Sequence, residues 1–165
     1  MPLPAQDHDQ VPELDPRAAQ VLQAATRMLA GVALRSTDAL DAGVTLPQFR
    51  LLAVLADLGP APSGQAATAL GLDRSTITRL ADRLVAAGYV TRGSDPGHRG
   101  VVTLDLTPDG RDLTERAAAW RRHELARIMA RLPGPDRAAV TDALGLLVAA
   151  AGDDYGVTAL SPIPL

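Results

Sequence analysis

The 165-residue sequence predicts a mainly α-helical fold carrying one small β-hairpin. Two observations predict the class. Apolar residues recur at three- and four-residue spacing along most of the chain, whereas strict alternation occurs only over Val101–Leu106. Between those patterns lies one loop, Gly93–Gly100, dense in turn formers. A globule of this size buries roughly 70% of its unfolded surface and needs no covalent or metal staple. Cysteine is absent, which excludes disulfides, zinc-thiolate sites and thiol chemistry.

Residues 1–15 contain four acids and no Lys or Arg. Without the basic start and apolar stretch of a signal peptide, they are expected to form a flexible lead-in to a cytoplasmic protein. Pro16 to Asp41 reads as a long helix, its stripe formed by Val21, Ala25, Met28, Leu29 and Val32. Thr45 and Gln48 have capping-box spacing and open a second helix that stops at Gly59-Pro60. Ser63 is the expected cap of a short third helix, and Gly71-Leu72 makes a turn.

Asp73 caps a fourth helix, in which Ile77, Leu80, Ala81, Leu84 and Val85 form a core-facing stripe and Gly88 ends the run. A strand at Tyr89–Arg92, the Gly/Pro/Arg loop and a strand at Val101–Leu106 follow, with Val102, Leu104 and Leu106 expected inward. Thr107-Pro108 starts a fifth helix running to about Leu132, and a sixth covers Asp136–Ala151. The expected division is a lead-in (1–15), a helical dimerisation region (16–41 and 108–151), a winged helix-turn-helix (45–106) and a loosely ordered tail (152–165). The last helix is apolar nearly all round and needs cover on more than one side, so a second copy of the chain is the expected partner.

The unit from Ser63 to Leu106 points to DNA. Net charge is −3, yet Ser63–Gly100 holds five Arg against three Asp. Such a cationic face on an otherwise acidic chain binds nucleic acid only where shape and contacts suit it. Stepping 100° per residue from Ile77 puts Ser75, Arg79, Asp82 and Ala86 on the outer face, flanked by Thr76, Arg83 and Thr78. Arg79 can donate two hydrogen bonds to guanine, while the hydroxyls suit phosphates or base edges. Arg74 lies nearer the core side, for a phosphate at the helix start or for local packing of its stem. Arg99 in the loop suits a minor groove, with Asp95 ordering the turn. A solvated helix face and a plain hairpin tip are the bland alternatives for these residues.

Catalysis finds little support. His8, His98 and His123 share no metal-ligand spacing, Asp153-Asp154 has no partner carboxylate at a readable placement, and the glycines form no phosphate loop. No enzyme, metal or cofactor is expected, and no apolar run reaches the ~20 residues that cross a bilayer. Trp120 could stack a planar effector, although core or dimer packing suits it better.

Thr45–Leu52, Leu72–Leu84 and Ala87-Gly88-Tyr89-Val90 resemble the MarR family of transcription regulators, and Leu104–Arg111 resembles that family's strand leading into its fifth helix. The resemblance spans about residues 16–150. It implies a homodimer built from the terminal helices that binds inverted-repeat promoter DNA, often as a repressor and often released by a small aromatic effector. Arg99 carries over by position as a minor-groove reader, and with the residues from the helical projection the expected DNA contacts are Arg74, Ser75, Thr76, Thr78, Arg79, Arg83 and Arg99. One departure is the wing, where the family's Asp-x-Arg becomes Gly97-His98-Arg99. A rival class is a winged-helix module that docks on another protein, supported by the negative total charge. A third reading is a member that senses a ligand but has lost tight DNA binding.

Overall fold

The computed structural model describes residues 13–40, 42–94 and 100–152. Six helices and three short strands follow in the order α1 (Pro16–Asp38), α2 (Leu46–Leu58), β1 (Ala61–Pro62), α3 (Ser63–Leu70), α4 (Arg74–Ala86), β2 (Val90–Ser94), β3 (Val102–Leu106), α5 (Pro108–Met129) and α6 (Gly134–Ala151). The fold is thus mainly α with a small antiparallel sheet, as the periodicity predicts.

Local chemistry sets most boundaries. Asp15 accepts the Ala18 N–H at 3.1 Å, and Pro16 begins α1 where no N–H is required. This helix ends at Asp38 rather than the expected Asp41, because Leu40 leaves it to pack against Phe49, Ala53 and Ala117. Thr45 and Gln48 form the expected capping box, with Gln48 Oε1 accepting the Thr45 N–H and hydroxyl, both at 2.8 Å.

One strand escapes the sequence reading. Ala61 pairs with Leu104 and Pro62 with Thr103, so the hairpin becomes a three-stranded sheet ordered β1-β3-β2. Pro62, which has no N–H, is tolerated because β1 is an edge strand. Arriving from a strand, the chain makes Pro62 the N-cap residue of α3 and Ser63 its first residue, correcting the expected Ser63 cap.

Leu51, Leu52 and Leu55 of α2 meet Ile77 and Leu84 of α4, Leu104 of β3 and Leu113 of α5 in one buried cluster. Two expected core residues lie elsewhere. Val85 sits about 80° round from Ile77, at the stripe's edge, and is 39% exposed. Val102 is 46% exposed, because β1 covers β3 only at Thr103 and Leu104.

The junction of α4 and α5 is tight. Gly88 adopts φ 81°, and Thr107 then donates its N–H to the Tyr89 carbonyl (3.0 Å) and its hydroxyl to the Gly88 carbonyl (2.7 Å). The same hydroxyl caps α5 by accepting the Gly110 N–H at 3.0 Å. A Cβ at Gly110 would overlap the Tyr89 carbonyl oxygen, so glycine is needed for this approach.

On the other side of the molecule, α1 packs along α5. Arg121 Nη1 donates to the fully buried Ser36 hydroxyl at 3.1 Å, and burial lowers the guanidinium's pKa, with Arg122 adding to the effect. α6 contributes no buried residue. Its Leu144, Leu146, Leu147 and Val148 are 41–73% exposed.

Candidate nucleic-acid interface

The outward face of α4 is built by its cap and its stripe. Ile77, Leu80, Ala81 and Leu84 anchor one side in the core. Ser75, Thr78, Arg79, Asp82, Arg83 and Ala86 are therefore left in solvent, with Thr76 half-buried at the flank. Arg79 and Arg83 have no carboxylate partner among the described residues. Two guanidiniums one turn apart thus stand as uncompensated donors on this face.

The hydroxyl residues are more constrained than spacing alone reveals. Asp73 Oδ1 accepts the Ser75 hydroxyl at 2.6 Å and the Thr76 N–H at 2.9 Å, while Oδ2 accepts the Thr76 hydroxyl at 2.6 Å. These bonds, the Ser75 hydroxyl's foremost, hold the Asp73 carboxyl far below its ordinary pKa. Thr78 donates to the Arg74 carbonyl at 2.9 Å. Arg74 is exposed rather than near the core, and its guanidinium lies over Gly64 at the start of α3.

Asp82 has a partner that the sequence does not announce. Arg92 Nη2 of β2 lies 2.7 Å from its Oδ1 and also donates to the Thr78 carbonyl at 3.4 Å. The pair ties the outer face of α4 to the hairpin. Its only sequence signal is an acid on the helix and an Arg on the next strand, and neither fixes their register.

Among the described residues, two clefts border α4. One of about 650 Å³ lies between α3, Arg74 and the Gly100–Val102 end of the hairpin. A smaller one of about 170 Å³ runs under Thr78 and Arg92, above Ile77, Ala81 and Leu104. Both are lined by Val102, which accounts for its exposure. The loop residues Asp95, His98 and Arg99 lie outside the described residues, as do His8 and Asp153-Asp154. Trp120 is half-buried on α5 and lines neither cleft, and His123 is exposed on the same helix. Among the described residues no group of three His, Cys, Asp or Glu is placed to hold a metal, and no helix is long and apolar enough to cross a membrane.

A helix, a turn, a second helix with a polar outer face and a hairpin tied to it define a winged helix-turn-helix protein. Known proteins narrow the class. A sequence model of the MarR family matches residues 42–99. The transcriptional repressor NicR of Pseudomonas putida is 31% identical over 108 residues, covering 66% of this chain and 68% of that protein. Among solved structures, RV1404 of Mycobacterium tuberculosis superposes with a TM-score of 0.78 at 32% identity, over 86% of this chain and 98% of that one. The transcriptional regulator Tm0710 of Thermotoga maritima gives 0.71 at 26% identity, over 87% and 100%. The chain belongs to the MarR family of transcription regulators.

Proposed function

We propose that the protein is a homodimeric repressor that binds an inverted repeat in promoter DNA. α4 enters the major groove, and the loop containing Arg99 reaches the neighbouring minor groove. The observation that carries this reading is the outer face of α4, where Arg79 and Arg83 project without a carboxylate partner among the described residues. Arg79 suits a guanine edge, and Arg74 and Arg83 suit phosphates on either side. Ser75, Thr76 and Thr78 complete the reading surface.

The dimer rests on α6, a helix with no buried residue and four large apolar side chains in solvent. Covering it with a second α6, beside α1 and α5, presents two reading helices to half-sites about 34 Å apart.

Charge placement favours DNA over a protein partner. All 16 Arg lie within residues 16–151, against 13 acids, a local balance of +3. The acidic total arises from the four acids of residues 1–15 and the two of 152–165.

Selection from random duplexes tests the reading directly. An enriched palindrome whose affinity falls linearly in log–log fashion with salt is expected, and absence of enrichment favours the protein-docking alternative. Release by a small aromatic effector is tested separately. Trp120 is the single tryptophan, so its fluorescence should respond to aromatic acids that also weaken DNA binding.

A further inference from the structure

We propose that Asp73 fixes the hydrogen-bond polarity of the reading helix, so that Ser75 and Thr76 meet DNA as acceptors and select an exocyclic amino group over a phosphate. This rests on the DNA-binding reading and adds to it what these two positions recognise. A hydroxyl has one proton to donate and two lone pairs to accept with. In this structure both protons are committed. The Ser75 hydroxyl donates to Asp73 Oδ1 and the Thr76 hydroxyl to Asp73 Oδ2, each at 2.6 Å. The carboxylate cannot offer a proton in exchange, since an ionised Asp only accepts.

What remains at Ser75 and Thr76 is acceptor capacity. A phosphate oxygen is also an acceptor and gains nothing from such a hydroxyl. The exposed Asp73 charge beside it repels phosphate further. In the major groove the donors are the N6 amino group of adenine and the N4 amino group of cytosine. A hydroxyl polarised by a carboxylate behind it is a strengthened acceptor for either. Thr78 differs: its proton goes to the Arg74 carbonyl inside the helix, at 2.9 Å, with no carboxylate involved.

The charge state of Asp73 keeps this arrangement in place. Its own hydrogen bonds hold the carboxyl well below the usual carboxylate range, so it stays ionised at every pH at which DNA is bound. An Asn at this position would change the polarity. Its amide oxygen can still accept the Thr76 N–H, but its NH2 group donates and releases a hydroxyl proton towards the DNA.

The test uses the 165-residue chain and a palindrome selected from random duplexes. At each adenine or cytosine of a half-site, the base is replaced by its analogue lacking the exocyclic amino group, one position at a time. The same analogue outside the half-site corrects for altered base pairing. The wild type should lose about three- to tenfold in affinity at one or two positions, the worth of one or two hydrogen bonds. That loss should vanish in Ser75→Ala or Thr76→Val and shrink in Asp73→Asn, with folding checked by circular dichroism. A palindrome whose amino groups can all be removed without loss overturns the proposal and leaves the DNA-binding reading standing. A loss that persists unchanged in Ser75→Ala, Thr76→Val and Asp73→Asn also overturns it, because another side chain then reads the amino group. Failure to enrich any palindrome overturns the DNA-binding reading, and this proposal with it.

Discussion

The winged unit and the framing helices solve the same burial problem in opposite ways. In the winged unit, α2, α3, α4 and the sheet close around Leu51, Leu52, Leu55, Ile77, Leu84 and Leu104, each at or near zero exposure. Its polar side faces solvent, as a finished domain requires. In the frame, α1 and α5 lean on each other through Ser36 and Arg121, while α6 shows Leu146 at 73% exposure and buries nothing. The first region is complete within one chain, and the second leaves large apolar side chains in solvent, the surface the proposed dimer would cover. Folding and assembly therefore depend on different residues, and substitutions should separate them.

The largest effect is expected where the two regions join. Gly110→Ala drives a methyl group into the Tyr89 carbonyl, a backbone atom that cannot give way, and should lower the thermal midpoint more than any other single substitution considered below. Next comes the core of the finished half. Leu104→Ala should cost about 2–5 kcal/mol in chemical denaturation. The equally large change Leu146→Asp should leave the winged unit folded but shift sedimentation towards a monomer. If Leu146→Asp instead sediments as the wild type does, the contrast between complete and incomplete halves fails.

Smaller effects sharpen the contrast within the winged unit. Arg79→Ala should remove about 1–3 kcal/mol of preference for the selected palindrome while leaving the thermal midpoint unchanged. Breaking the brace with Arg92→Ala should cost less than about 1 kcal/mol of stability, because both partners are solvent-accessible. The smallest effect concerns pH. Asp73 has a depressed folded pKa, so its stabilising contribution is fully present above the unfolded value of about 3.9 and is lost as pH falls through the folded value. The stability difference between wild type and Asp73→Ala should stay constant from pH 7 to about 5 and narrow only in strong acid.

The parts legible in the sequence are those fixed by neighbours along the chain. Asp73 before an amphipathic run, the Ile77–Leu84 stripe, the Thr45–Gln48 box and Thr107-Pro108 each follow from spacing of four residues or fewer. The illegible parts depend on what lies across space. β1 is two residues long and is a strand only because Leu104 and Thr103 sit beside it. Val102 alternates correctly yet has no covering strand, and the Asp82–Arg92 pair needs the helix-to-hairpin register. The outer face of α4 stands between these cases. Helical projection correctly exposes Ser75, Thr78, Arg79 and Arg83, but where the Ser75 and Thr76 protons point depends on the rotamers of Asp73 and the two hydroxyls, which residue spacing does not fix even though the bonds are local.

The contact between Gly110 and Tyr89 has a mechanical consequence. α5 is 22 residues long, about 33 Å, and its first turn is clamped to the residues that immediately follow α4. It is therefore a lever whose fulcrum lies beside the end of α4 and whose long arm runs through the frame. A displacement of about 3 Å at the far end corresponds to a tilt of about 5° at the fulcrum, by the geometry of a rigid rod of that length. In the proposed dimer, anything that wedges or draws together the far ends of the two levers would reset the angle at which the two copies of α4 are presented, without touching either of them.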